Sequence, residues 1–175
     1  MSEFGDCDAP LPPLAQTGLE HFNARRFFEA HEALEAAWRA EPGPIRALYQ
    51  GLLQVAVAYL HIERGNFDGA LKVAARGRGK LAKWPPNCRG VNVGRLIRDL
   101  DQATAAVRQL GAERLRAFNP QWFQPVEWGH PQPARAKRVF TCDRCGAEMV
   151  ERNCKVTCPN CGNRFDCSDL NIYFD

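Results

Sequence analysis

No uninterrupted apolar run in this chain approaches the ~20 residues that a membrane-spanning helix requires. A transmembrane helix is therefore not expected. The opening stretch MSEFGDCDAPLPPLAQ is acidic and proline-rich, without the basic start and apolar centre of a secretory signal, so a cytoplasmic chain is expected. Acidic residues are missing altogether between Gly69 and Arg98, a stretch that holds Lys72, Arg76, Arg78, Lys80, Lys83, Arg89, Arg95 and Arg98. A one-signed run inside a chain of net charge only +3 points to an anionic partner, or to pairing with the acidic N-terminal segment. Residues 1–41 carry eight acidic residues against three Lys or Arg. Two catalytic signatures are also missing. The pattern GRGK at residues 77–80 follows no strand and lacks the spacing of a phosphate-binding loop. The helical part has neither a two-histidine HExxH motif nor the ExxH of a di-iron bundle.

What is present is helical periodicity followed by cysteines. The 175 residues suffice for one core and a small appendage. Residues 1–13 are expected to be a flexible tail and 14–117 a helical bundle. Residues 118–138 are expected to form a proline-rich linker, and 139–175 a zinc ribbon. The fold class is mostly α, a bundle of about five helices followed by a small β ribbon. Helices are expected near 15–24, 26–40, 45–64, 67–83 and 92–110. The third is apolar almost all round and should be central. Gly65 should end it, and Asn66 should cap the fourth. Trp122, Phe123 and Trp128 should pin part of the linker onto the bundle.

Six of the eight cysteines fall between Cys142 and Cys167. Cys142-x-x-Cys145 and Cys158-x-x-Cys161 each continue into glycine, and twelve residues separate the pairs. Zinc prefers four tetrahedral ligands, and thiolates suit its structural sites. In a chain without a secretory signal this spacing favours zinc over disulfides. The four cysteines are therefore expected to hold a structural zinc ion. Glycine after each pair permits the left-handed turn that aims backbone amides at the sulfurs. Cys154 and Cys167 are left over, either as small apolar residues or as alternative ligands or a redox pair. Charges in the ribbon balance: Arg144, Arg152, Lys155 and Arg164 stand against Asp143, Glu148, Glu151 and Asp166.

The stretch FFEAHEALEAAWR places His31 and Glu35 on the same helix face as Phe27, Leu34 and Trp38. Gln50, Gln54 and His61 make a similar stripe on the third helix. Antiparallel packing of the second helix on the third would let the stripes meet and bring His31, Glu35, Gln54 and His61 together, and Glu32, nearer the edge of its face, completes the candidate set. Such a cluster is either a hydrogen-bonded network that fixes register or a metal or acid-base site. The runs FNARRFFEAHEALEAAWR and GPIRALYQGLLQVAVAYLHIERGNFDGALKVAARGRGKL closely resemble the bacterial and archaeal family catalogued as domain of unknown function 309. The resemblance covers about residues 17–100. It implies a small all-helical bundle and marks Phe28, Glu29, His31, Glu32, Glu35, Trp38, Gln50, Gly51, Gln54, His61, Arg64, Gly65, Asn66 and Gly69 as motif positions. It supplies no activity, and the zinc ribbon is additional to the family pattern. AYLHIERGNFDGALKVA also looks like the centre of a tetratricopeptide repeat. One such unit is found, and it is read as an ordinary helix-turn-helix.

These readings lead to a non-catalytic binding or adaptor protein with structural zinc and an anionic partner, nucleic acid or protein. Lys72, Arg76, Arg78, Lys80 and Lys83 are the anion-binding candidates. The alternatives are a metal-assisted hydrolase or acid-base enzyme built on the His31/Glu35 cluster, and a helical protein-interaction platform.

Overall fold

A computed structural model describes residues 7–129, 140–142, 144–152 and 155–166. The chain divides into two compact units, Met1–Gln132 and Pro133–Asp175. The first contains α1 (Pro13–Asn23), α2 (Phe27–Ala40), α3 (Arg46–Glu63), α4 (Phe67–Leu81) and α5 (Val93–Leu110). A short hairpin, β1 (Asn87–Cys88) and β2 (Val91–Asn92), precedes α5. Two 3-10 turns, Ala112–Ala117 and Pro120–Trp122, follow it.

The helix boundaries have local causes. Pro13 begins α1, where its missing N–H costs no hydrogen bond. The Asn66 side chain accepts from the Gly69 amide at 2.9 Å and caps α4. Asn92 caps α5 in the same way through the Arg95 amide at 3.0 Å. Gly65 ends α3 with φ 72°. Its amide reaches the Ile62 carbonyl at 3.0 Å, and the Asn66 amide reaches His61 at 2.9 Å.

The same turn closes α1. The Arg25 amide donates to Phe22 and the Arg26 amide to His21, each at 2.9 Å. His21, Arg25, Phe27 and Ala30 thus recur in the second turn as His61, Gly65, Phe67 and Ala70. The helix-turn-helix read once in the sequence occurs twice. The first copy was hidden because Arg25, at φ 58°, occupies the place where Gly65 stands in the second.

As expected, α3 is central. Leu48, Tyr49, Leu52, Val55, Ala56, Ala58, Tyr59 and Ile62 are all buried on it. Glycines allow its neighbours to approach. A Cβ at Gly51 would lie 2.7 Å from Leu81, and one at Gly77 would lie 3.3 Å from the Gly51 carbonyl oxygen. On the other side an aromatic group closes the core. Phe27 and Phe123 have ring centroids 5.0 Å apart, and Tyr59 and Phe123 have theirs 4.8 Å apart. Such pairs add about 0.5–1.5 kcal/mol each beyond their burial.

The tail expected over residues 1–13 needs correction from residue 7 onward; residues 1–6 lie outside the described residues. Cys7 forms a disulfide with Cys88, the Cys7 carbonyl accepts from the Arg89 amide at 2.7 Å, and Leu11 is buried. The preference for zinc over disulfides holds for the cysteine pairs but not for these two. Residues 118–129, expected as linker, lie on the helical unit. Asn23 exchanges two hydrogen bonds with the Val126 backbone, at 2.8 and 3.0 Å. Val91 bridges to Trp128, and Glu127 pairs with Arg95. Phe123 is buried, Trp128 partly so, and Trp122 is exposed.

The second unit is an antiparallel meander in the order β3 (Phe140–Thr141), β4 (Glu148–Arg152), β5 (Lys155–Thr157), β6 (Arg164–Asp166). In a meander the first and third connections fall at the same end, and these two connections carry the cysteine pairs.

Candidate functional site

Two features of the described residues have chemical character, one in each unit. The first is the cysteine cluster. Cys142 and Cys145 lie between β3 and β4, and Cys158 and Cys161 between β5 and β6. The two connections repeat one geometry. The Gly146 amide donates to Cys142 at 2.8 Å and the Gly162 amide to Cys158 at 3.0 Å. The Cys142 and Cys158 amides close each loop onto Ala147 and Asn163, at 2.9 and 2.8 Å. Gly146 and Gly162 take φ 73° and 75°, the left-handed turn expected after each pair.

The four sulfurs all lie within 4.8 Å of one another. Cys142 and Cys161 Sγ are 3.6 Å apart, and Cys145 and Cys158 Sγ 3.5 Å. A zinc ion with bonds of about 2.3 Å in a tetrahedron sets its sulfurs roughly 3.8 Å apart. The arrangement therefore fits structural zinc binding by Cys142, Cys145, Cys158 and Cys161. Cys142 and Cys158 are 2% and 1% exposed, so each loop sets one sulfur inward and one outward.

The electrostatics agree with this fit. Burial acts to raise Cys142, but the Arg144 and Cys145 amides and the adjacent thiols outweigh it and hold the group at about 6. The Asn163 amide acts to lower Cys161, yet burial and the three neighbouring thiols push it up to about 12. Cys145 is lowered as well, chiefly by the Ala147 amide, so two thiolates form readily while Cys161 resists, as expected of a site that needs a cation to hold four negative sulfurs. Zinc held by these four cysteines would supply that charge and tie the two loops together. The Asn163 side chain supports the set with an N–H 3.8 Å from Cys142 Sγ. Cys154 and Cys167, and the neighbouring Asp143, lie outside the described residues.

The second feature is a face of α4. Ala70, Ala74, Gly77 and Leu81 form its buried side. Lys72, Arg76 and Lys80 follow at four-residue steps on the opposite side, and Lys83 falls on the same line just beyond the helix. Lys72, Arg76 and Lys83 are exposed and Lys80 is half-buried. Among the described residues none of these four has an ion-pair partner within 4.0 Å. Arg78 turns away to Asp101 on α5, at 2.7 and 3.0 Å. The five anion-binding candidates thus separate into four that share a face and one already paired.

The polar residues of α2 and α3 form no comparable cluster. Glu35 pairs with Arg39 at 2.8 Å, and His61 Nδ1 lies 3.1 Å from the Asn66 side-chain nitrogen. His31 rests beside Phe28, with ring centroids 6.5 Å apart, and Glu32 is exposed. Gln54 has a buried Oε1 with no hydrogen-bond partner among the described residues. His31, Glu32, Glu35 and His61 do not join any convergent group of three or more potential metal ligands among the described residues. The helix-face argument placed His31 and Glu35 on the apolar side, but both are only half-buried, at its edge.

Comparison with known proteins agrees with these two parts. The family model described as "Domain of unknown function (DUF309)" matches residues 15–73. Residues 15–73 are thus similar to that family. A second model, "Zinc finger protein-like", matches residues 140–171. An "Uncharacterized protein" of Aquifex aeolicus (strain VF5) is 30% identical over 82 residues, 46% of this chain and 25% of that protein. "Uncharacterized protein YpuF" of Bacillus subtilis (strain 168) is 42% identical over 59 residues, 33% of this chain and 34% of its own. The chain thus spans about a quarter and a third of these relatives. The DUF309 match runs from α1 into α4, and it includes the two equivalent turns. It stops where the basic face begins, at Val73, so Arg76, Lys80 and Lys83 lie beyond it.

Proposed function

We propose that this protein is a non-catalytic binding module, in which a DUF309 helical unit and a zinc-stabilised ribbon serve an anionic partner, with nucleic acid the first candidate. One observation carries the reading: Lys72, Arg76, Lys80 and Lys83 lie along one side of α4 with no ion-pair partner among the described residues. At 1.5 Å per residue these cations extend over about 17 Å, room for several phosphates of one strand. The zinc finger-like match adds a module type that serves nucleic-acid or protein contact.

The acid-base or metal-assisted enzyme has less support. Three of its five candidate residues, Glu35, His61 and His31, are engaged separately, by Arg39, Asn66 and Phe28. The expectation of a cytoplasmic chain has the four-thiolate site on its side and the Cys7–Cys88 disulfide against it. Among the described residues no helix is long and apolar enough to cross a membrane.

The test is affinity of the full chain for short single-stranded RNA and duplex DNA, followed across salt concentration. The reading expects log affinity to fall linearly with log salt. Absent or salt-independent binding contradicts it.

A further inference from the structure

The two equivalent turns pose a question that the basic face does not answer. Gly65 takes φ 72° in one, and Arg25 takes φ 58° in the other. A side chain is disfavoured in this conformation, and glycine is its usual occupant. An arginine held there directs attention to what its side chain does.

Arg25 lines a cleft of about 380 Å³ at the turn end of the helical unit. That volume lies at the lower end of small-molecule sites. The floor is apolar: Ile62, Leu115, Phe118 and Phe123 line it, and all four are buried. Around the rim are Arg25, Arg116 and Glu63, all exposed. Arg116 lies over Gly65, where a Cβ would meet its side chain at 3.8 Å. One turn thus has Arg116 resting over it, and the other turn supplies Arg25. Among the described residues neither guanidinium has an ion-pair partner within 4.0 Å, whereas Arg39, Arg78 and Arg95 all do. Partial burial pushes the Glu63 carboxyl up, and the charges of Arg25 and Arg64 oppose that rise. One carboxylate leaves the rim with an excess of positive charge.

We infer that this cleft binds a small molecule with an acid head group, carboxylate or phosphate, on an apolar body. The head lies toward Arg25 and Arg116, and the body rests on Phe118 and Phe123. Guanidinium forks suit either oxyanion. The inference is independent of the α4 face and of the zinc site.

The probes are phenylacetate, phenyl phosphate and, as the neutral control, phenylacetamide. Each is titrated into the 15N-labelled full chain while the Arg25, Gly65 and Arg116 amides are followed by NMR. These amides should shift together, with a Kd of about 1 mM for the better acid. The amide control should bind about tenfold more weakly. The stronger of the two acids identifies the head group. Arg25→Gly should lose about tenfold in affinity while its Tm stays level or rises, because glycine suits the turn. Glu63→Gln should bind the acids more tightly. Equal binding of acid and amide, or no shift at the cleft with either acid, overturns the inference. So does an Arg25→Gly variant that keeps its affinity, or one whose Tm falls, since the arginine would then serve stability.

Discussion

Gly18 and Gly79 are both helical glycines, yet alanine should have opposite effects at the two. A Cβ at Gly18 would lie 2.6 Å from Leu34 Cγ and 3.2 Å from the Leu34 backbone nitrogen. Around Gly79 nothing lies within 4 Å. Alanine in place of glycine favours a helix by about 1 kcal/mol. At Gly79 that gain stands alone, so Gly79→Ala should raise stability by up to about 1 kcal/mol. At Gly18 overpacking of about 1–3 kcal/mol opposes it, so Gly18→Ala should lower stability. Chemical denaturation of the two variants checks the pair. Among the cysteines, Cys158→Ser should reduce bound zinc from about one per chain to near none. Metal content by mass spectrometry reads this directly. The four ligands were readable because a Cys-x-x-Cys-Gly turn is local, so its geometry travels with its spacing. Cys7 and Cys88 carried no such signal. Their pairing depends on a tertiary approach across a sequence separation of 81 residues, which local pattern does not encode.

At the level of elements, the five helices follow the sequence reading closely because their stops are local chemistry: Pro42-Gly43-Pro44, Gly65-Asn66 and Trp84-Pro85-Pro86. The hairpin of β1 and β2 was missed. Strands of two residues are too short to show alternation. The repeated turn was missed because Arg25 replaces the glycine that announces it. The polar cluster on α2 and α3 was the least readable feature. Helical periodicity fixes which residues share a face, but not how far from the buried line each one falls, and His31 and Glu35 fall at the edge. The Cys7–Cys88 disulfide joins the N-terminal segment to the hairpin. A double Cys7→Ser, Cys88→Ser variant should lose about 2–4 kcal/mol, measured by denaturant unfolding under non-reducing conditions. An unchanged midpoint would mean the disulfide adds nothing to the stability of the helical unit.

Across the whole molecule, the two units owe their stability to different sources. The helical unit has a continuous apolar core and an aromatic cluster. The ribbon has short strands, and all four zinc ligands fall within it. Chelation should therefore abolish the ordered NMR signals of the described ribbon residues and leave the helical far-ultraviolet signal in place. Loss of both signals together would show that the helical unit depends on the metal. The proposed binding surface is the α4 face. Its most direct test compares the salt dependence of RNA affinity in the native chain and in Lys72→Gln, Arg76→Gln, Lys80→Gln, Lys83→Gln combined. Each phosphate contact contributes about 0.7 to the slope of log affinity against log salt for a single strand. The variant should lose up to about 3 units of slope and most of its affinity, with unchanged Tm and zinc content. A variant that binds RNA with the native slope would show that the α4 face is not the binding surface.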